Sequence, residues 1–254
     1  MLDSNKIPAL LLKTTALLCL HAAVASAQVG DAQKPMRPPK ISPHATLYVD
    51  CDHSGRHQRV VSPTSISESN SWRAFVEVTT DADCLQSTRL WVAPRSGRYR
   101  LVYLIPPDRW DSGNGMEILG WATASELLVA RTQLWQSGSD APVKEEVLVV
   151  NAATGLVYRP DLEAILENRG SRRCSLRILD AGFGSGKSLM VLVRVNLFTA
   201  LDEEEVESDV PSAERCEHIE ETWSFNYGNG EIRKEDGSPE IVHVGRVALL
   251  RPRK

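Results

Sequence analysis

The run Ala181-Gly182-Phe183-Gly184-Ser185-Gly186-Lys187-Ser188 has the residue types of a phosphate-binding loop. Its glycines bare backbone amides, and a lysine and a hydroxyl follow. Such a loop needs a glycine five residues before the final Gly-Lys-Ser, where this chain has Ala181. It must also open a helix whose N-terminal amides face the phosphate. Leu189–Val195 reads as a strand instead, which predicts that the run is a hairpin turn.

Other chemistry-bearing residues are sparse. Asp50, Asp52, His53 and His57 flank Cys51 with ligand types that suit a divalent metal. No helix or strand period makes them converge, so a polar loop is the expectation. The acidic run Asp202–Asp209 lacks the Asp/Asn/Gly alternation of a calcium loop and reads as solvated. No G-x-S-x-G elbow is present for nucleophilic hydrolysis. His218 and His243 are isolated in sequence and read as structural or exposed. Carboxylate pairs for glycoside hydrolysis are spatial, and no pair stands out. No catalytic residue, metal or cofactor is therefore assigned.

Two loops offer the best binding chemistry. Pro107–Gly115 carries Asp108, Arg109, Trp110, Asp111 and Asn114, and Trp135–Asp140 carries Trp135 and Asp140. A tryptophan among polar, glycine-rich residues suits a sugar or peptide, because the ring packs while the polar groups orient. The plainer alternative is that both rings close the ends of structural units.

The elements that must position these residues begin after an export signal. Residues 1–27 combine Lys6 and Lys13, the apolar runs Ala9–Leu12 and Ala16–Leu20, and a small-residue ending, Ala25-Ser26-Ala27. The apolar run is too short for a bilayer, which needs about 20 such residues. The mature chain is expected to be periplasmic or secreted, with no transmembrane segment after cleavage. With the signal's Lys6, Lys13 and Asp3 removed, the net charge passes from −4 to −5. That balance argues against a nucleic-acid partner.

Export also reinterprets the cysteines. Cys51, Cys84, Cys174 and Cys216 remain, and an even number in an exported chain suggests two disulfides. Three pairings are open. Cys51–Cys84 with Cys174–Cys216 is favoured, since each bridge then stays in its own half. A zinc site is disfavoured by the lack of C-x-x-C spacing.

Residues 28–43 are rich in Gln, Pro and Lys and read as a flexible leader. Residues 44–254 read as a single β domain. Strands are expected at 45–50, 59–62, 72–79, 89–93, 99–105, 116–121, 126–132, 146–151, 156–158, 175–179, 188–195, 222–227 and 241–250, with one short helix at 161–167. Val147–Val150 and Leu189–Val193 are apolar on both faces, so their sheets must be covered on both sides. Face-to-face packing of four-stranded sheets, as in a propeller, meets that need.

A repeat supports this reading. One unit runs Trp72–Val76, Arg89–Gly97 and Tyr99–Tyr103. A second runs Ile118–Val129, Val147–Gly155 and Leu156–Tyr158. A third, degenerate one runs from Ser175 through Thr222–Phe225 to Ile232. The pattern resembles TolB-type β-propeller repeats. Arg89-Leu90-Trp91-Val92 matches that family's third strand, and Ala122-Thr123-Ala124-Ser125 stands where the family has S-P-D-G. The resemblance implies a small or incomplete propeller of about four to five blades, and the alternative is a β-sandwich. It transfers no active site.

The expected function is a non-enzymatic binding or scaffold protein that recognises a protein, peptide or glycan through its loops. A small glycosidase-like hydrolase and a structural cell-envelope protein are the alternatives.

Overall fold

A computed structural model describes Leu47 and residues 56–107, 113–136, 142–169, 174–185, 187–199 and 219–248. The described residues are all-β and form three antiparallel sheets, none closed into a barrel.

The first sheet contains β1 (Gln58–Val61), β2 (Thr64–Ile66), β3 (Trp72–Thr80), β4 (Gln86–Pro94) and β5 (Arg100–Ile105). β1 and β2 lie along opposite ends of β3, at Thr80–Glu77 and Ala74–Arg73. They form one strand broken at Pro63, which has no N–H to give to a ladder. Ser62 bridges the break: its Oγ accepts from Val76 N at 2.9 Å, and its own N donates to Val76 O at 2.8 Å.

The second sheet is a plain meander of β6 (Gly113–Trp121), β7 (Leu127–Trp135), β8 (Lys144–Asn151) and β9 (Val157–Tyr158). A short helix follows, α1 (Glu163–Arg169), capped by Asp161 Oδ1, which accepts from Glu163 N at 3.1 Å. Ile165 of this helix is fully buried beside the third sheet. That sheet contains β10 (Cys174–Gly184), β11 (Lys187–Thr199), β12 (Ile219–Asn226) and β13 (Ile232–Lys234).

The sheets stack face to face, with the second in the middle. Leu128, Ala130, Leu148 and Val150 of the second sheet pack with Val76, Val78, Leu90 and Val92 of the first. Their strand neighbours Leu127, Val129, Val147 and Val149 pack with Val191, Val193, Val195 and Phe225 of the third. Period-2 geometry requires this division, because successive side chains point to opposite faces. The two-faced apolarity of Val147–Val150 thus has its expected consequence. Each such side chain contributes about 1.5–3 kcal/mol by full burial.

Charges pin the second sheet against the third. Arg131 donates to Glu117 Oε2 at 2.7 Å and to Ile178 O at 3.0 Å. Ile178 N in turn donates to Glu145 Oε2 at 2.8 Å. Both carboxylates are nearly inaccessible. Ile178 sits at a register shift in β10, so these side chains satisfy backbone groups that the ladder leaves irregular.

The tail then crosses the stack. β14 (Ile241–Val242) pairs with β10, Val244 bridges Trp121 of β6, and β15 (Arg246–Ala248) pairs with β2. One segment therefore lies along the first strand of each sheet. Sheets stack about 10 Å apart and an extended chain gains about 3.3 Å per residue, so about three residues cover each gap. Glycines make room at the crossings. A Cβ on Gly182 would lie 2.7 Å from Ile241 Cγ2, and one on Gly120 would lie 3.2 Å from His243 Cα. Gly245 has φ +123°, and its Cβ would meet Ile66 O at 2.9 Å.

Several expectations change. The 45–62 and 241–250 segments, expected to help make four or five blades, add edges to three sheets among the described residues. The single strand expected over 241–250 is broken in two by Gly245. The strands expected at 175–179 and 188–195 lengthen into one long hairpin. Gly184-Ser185 and Lys187 lie at its tip, so the glycine-rich run is a turn and not a phosphate loop.

Candidate functional site

Of the loop residues expected to bind, Asp108, Arg109, Trp110, Asp111 and Asp140 lie outside the described residues, as do Asp50, Asp52, His53 and His218. His57 is exposed. No group of three or more His, Cys, Asp or Glu among the described residues is placed to hold a metal. Trp135 ends β7 opposite Gly113 and is half-buried.

Asn114 is not a surface residue. It is 1 % exposed, and its Nδ2 donates to Gln86 O at 2.8 Å. Gln86 Nε2 and Thr88 Oγ1 both donate to Asn114 O. This exchange ties β4 of the first sheet to β6 of the second, so Asn114 joins layers. Its place beside a glycine pair disguised it as a loop residue, whereas β6 begins at Gly113.

Cys84 and Cys174 are both disulfide-linked. Cys84 occupies the β3–β4 turn with φ 64°, and Cys174 opens β10. Cys51 and Cys216 lie outside the described residues.

His243 is not isolated. The tail carries it between β6 and β10, where its Nε2 meets Asp180 Oδ1 at 2.9 Å. The Asp180 hydrogen bond raises the imidazole pKa, burial opposes this, and the charges of Asp180 and Glu117 add to the rise. Burial pushes Asp180 up, but the hydrogen bond and charge of His243 outweigh it and leave the carboxyl below its usual value. The pair fastens the tail.

The outer face of the first sheet carries an aromatic and cationic cluster. Phe75 and Trp91 lie opposite each other in register and stack, with centroids 6.3 Å apart. Tyr99 meets Phe75 edge-on at 4.7 Å, and the Arg73 guanidinium sits 4.8 Å above the Tyr99 ring. Glu77 accepts from Arg59 Nε at 2.5 Å and from Trp91 Nε1 at 2.9 Å. Burial alone would raise the Glu77 pKa, and these two bonds bring it below the ordinary value.

The outer face of the third sheet is built differently. β13 and β14 lie on opposite edges of this five-stranded sheet. Four strand spacings of about 4.8 Å separate them, so residues 235–240 must cross about 19 Å of sheet with little slack. This strap passes over the face that bears Met190, Leu192 and Ser224. Leu192 is 5 % exposed and Ser224 is fully buried. A cleft of about 190 Å³ lies there, bounded by Glu235, Pro239 and Glu240 of the strap and by Gly184 and Ser185 of the hairpin. Its floor is apolar, its strap side is acidic, and no described lining residue is basic. Glu235 also pairs with the exposed Arg233 at 3.3 Å.

No local pattern signals that Met190, Ser224 and Glu240 meet. The nearest signal was the Gly237-Ser238-Pro239 turn cluster, which marks where the chain bends across the sheet. No helix among the described residues is long and apolar enough to cross a membrane. No family model, curated protein or solved structure matches the chain.

Proposed function

We propose that the chain is an exported, non-enzymatic binding protein, a propeller-like scaffold that recognises a protein, peptide or glycan partner. The cleft beneath the strap carries this reading. It is concave, its floor is apolar, and a few polar groups converge on it, as ligand sites require. The propeller-like part is supported by three successive meanders that stack in chain order, with one tail along all three first strands. Bridges Cys51–Cys84 and Cys174–Cys216 belong to the same reading.

One observation favours the hydrolase alternative: Glu235 and Glu240 border the same cleft. Two carboxylates flanking one sugar are what glycoside hydrolysis uses.

Peptide and glycan arrays probed with the mature chain, followed by calorimetry, test the binding reading. The expected result is saturable binding of one ligand class, weakened by Glu240→Gln. Trp110→Ala and Trp135→Ala test the loops in parallel. A folded chain that binds nothing saturably overturns the reading. Turnover of chromogenic glycosides, lost on Glu235→Gln or Glu240→Gln, replaces it with the hydrolase.

A further inference from the structure

We propose that the free edge of β5 takes up an extended segment of a protein partner. The segment adds as an antiparallel strand, with apolar side chains beside Leu101 and Leu104 and acidic side chains at its C-terminal end. This surface is separate from the cleft and goes beyond the binding reading above.

A strand at the border of a sheet offers every second N–H and C=O to a further strand. Most borders of these sheets are short or engaged. β9, β13, β14 and β15 have two or three residues, and β1 has four. β6 bridges to Leu47 and Val244. β10 takes β14 and turns Ile178 N and O to Glu145 and Arg131. β5 has six residues, and among the described residues it pairs with β4 alone. Its side chains suit an added strand. The extra residue Val102 shifts the register, so that Leu101 faces Trp91 and Leu104 faces Arg89. Both leucines therefore stand on the outer face, 43 % and 44 % exposed, while Val102, Tyr103 and Ile105 pack on the core. Apolar neighbours on an added strand would cover them.

Charge sets the partner and its direction. Arg95, Arg98 and Arg100 cluster where β4 turns into β5, and all three are exposed. Arg100 donates to the neutral carbonyls of Ala152 and Ala153. Among the described residues, no carboxylate pairs with any of the three. On the neighbouring turns, Glu68 accepts from Ala124 N and Glu126 from Asn151 Nδ2. The described residues that flank 108–112 and 137–141 lie toward the other end of β5, about 16 Å from Arg100. There Asn114 bonds Gln86, Thr88 faces Ile105, and Trp135 faces Gly113. An antiparallel strand brings its C-terminal end to Arg100, so its carboxylates belong at that end. A second copy does not meet this charge. Two-fold pairing of β5 with itself sets Arg100 opposite Ile105 of the second copy.

Amide NMR on the mature chain, titrated with acetyl-Thr-Val-Thr-Val-Asp-Glu-amide, tests the proposal. Acetyl-Glu-Asp-Val-Thr-Val-Thr-amide keeps the composition and reverses the direction. Acetyl-Thr-Val-Thr-Val-Asn-Gln-amide removes the charge. Saturable shifts of the β5 amides are expected in the millimolar range, with the first peptide binding about threefold or more tighter than the other two. Arg95→Gln/Arg98→Gln should weaken that binding about threefold to tenfold, the scale of one or two exposed ion pairs. Glu240→Gln, in the cleft, should leave it unchanged. N-methylation of both valines, or of both threonines, removes alternate N–H groups, and one of the two peptides should no longer bind. No saturable shift in β5 overturns the proposal, and the bulge at Val102 then guards the edge. Equal binding of the three peptides, or binding by both N-methylated ones, overturns it as well. Shifts of the same amides on concentrating the chain without peptide assign the edge to a second copy instead.

Discussion

The two outer faces of the stack solve the same problem in opposite ways. A sheet at the end of a stack has one face without a neighbouring sheet. On the first sheet, side chains close that face themselves. Phe75, Trp91 and Tyr99 pack on one another, Arg73 lies over the Tyr99 ring, and Glu77 takes the Trp91 N–H and Arg59. The leftover apolar groups, Leu101 and Leu104, stay more than two-fifths exposed. On the third sheet, a chain segment does the covering, and Leu192 and Ser224 disappear beneath it. A segment that crosses strands cannot interdigitate as a sheet does, so a cleft remains. The self-paired face closes ring on ring and leaves Arg73 Nε as a buried group without a partner, whereas the strapped face leaves a concave space with acidic edges. The cleft proposed for binding belongs to the strapped face.

The largest expected effect tests whether the strap buries what it crosses. Leu192→Ala should cost about 2–5 kcal/mol, the range for a core leucine. Leu101→Ala, in the same kind of position on the first sheet but 43 % exposed, should cost less than about 0.5 kcal/mol. Urea unfolding of both variants measures this. Equal costs would mean that the two outer faces are not different in kind.

A smaller effect isolates the anchoring of the strap. Gly182→Ala puts a methyl group 2.7 Å from Ile241 Cγ2 and 3.1 Å from Val242 O. The crowding falls where the strap becomes β14. Overpacking of this sort costs about 1–3 kcal/mol. Hydrogen exchange should show faster opening over 235–244 in this variant, with β3 and β4 of the first sheet unchanged. Uniform acceleration across all three sheets would show that the strap is not a separable cover.

Much of the architecture was legible because it follows from local pattern. Val147–Val150 had to be covered on both faces, and Leu189–Val195 could not be the helix of a phosphate loop. Trp72–Val76 and Ile118–Val129 fell into separate sheets, as the repeat suggested. Crossings were not legible. Asp180–Gly184 looked like loop because two glycines interrupt it, yet those residues continue β10. Gly182 is there because the tail comes too close for a Cβ, and no local pattern records a close approach from sixty residues away. The tail failed for a related reason. Ile241–Leu250 has the composition of one strand, but Gly245 turns it so that successive residues serve different sheets. The cleft was invisible on the same grounds, since its floor and its strap meet only in three dimensions. His243 looked solitary in sequence, and its partner Asp180 lies on another strand.

The smallest effect concerns that pair, and its sign follows from linkage. His243 has a pKa above the ordinary imidazole value of 6.5, so its stabilisation is complete below 6.5 and is lost as pH rises through the folded value. Asp180 has a pKa below the ordinary aspartate value of 3.8, so its share is complete above 3.8 and is lost as pH falls through the folded value. Between about pH 4 and 6.5 both groups are charged and the staple is strongest. Glu117 and Arg194 face the same junction, and Glu117 adds to the His243 shift while Arg194 adds to that of Asp180. His243→Gln keeps a side chain of similar reach without the charge. The difference in melting temperature between wild type and this variant should be largest near pH 5–6 and should shrink as pH rises through the raised imidazole value. A difference that stays constant across that range would show that His243 holds the tail by packing and hydrogen bonding alone. The third sheet would then keep its cover without help from charge, as the first sheet keeps its aromatic cluster by ring packing.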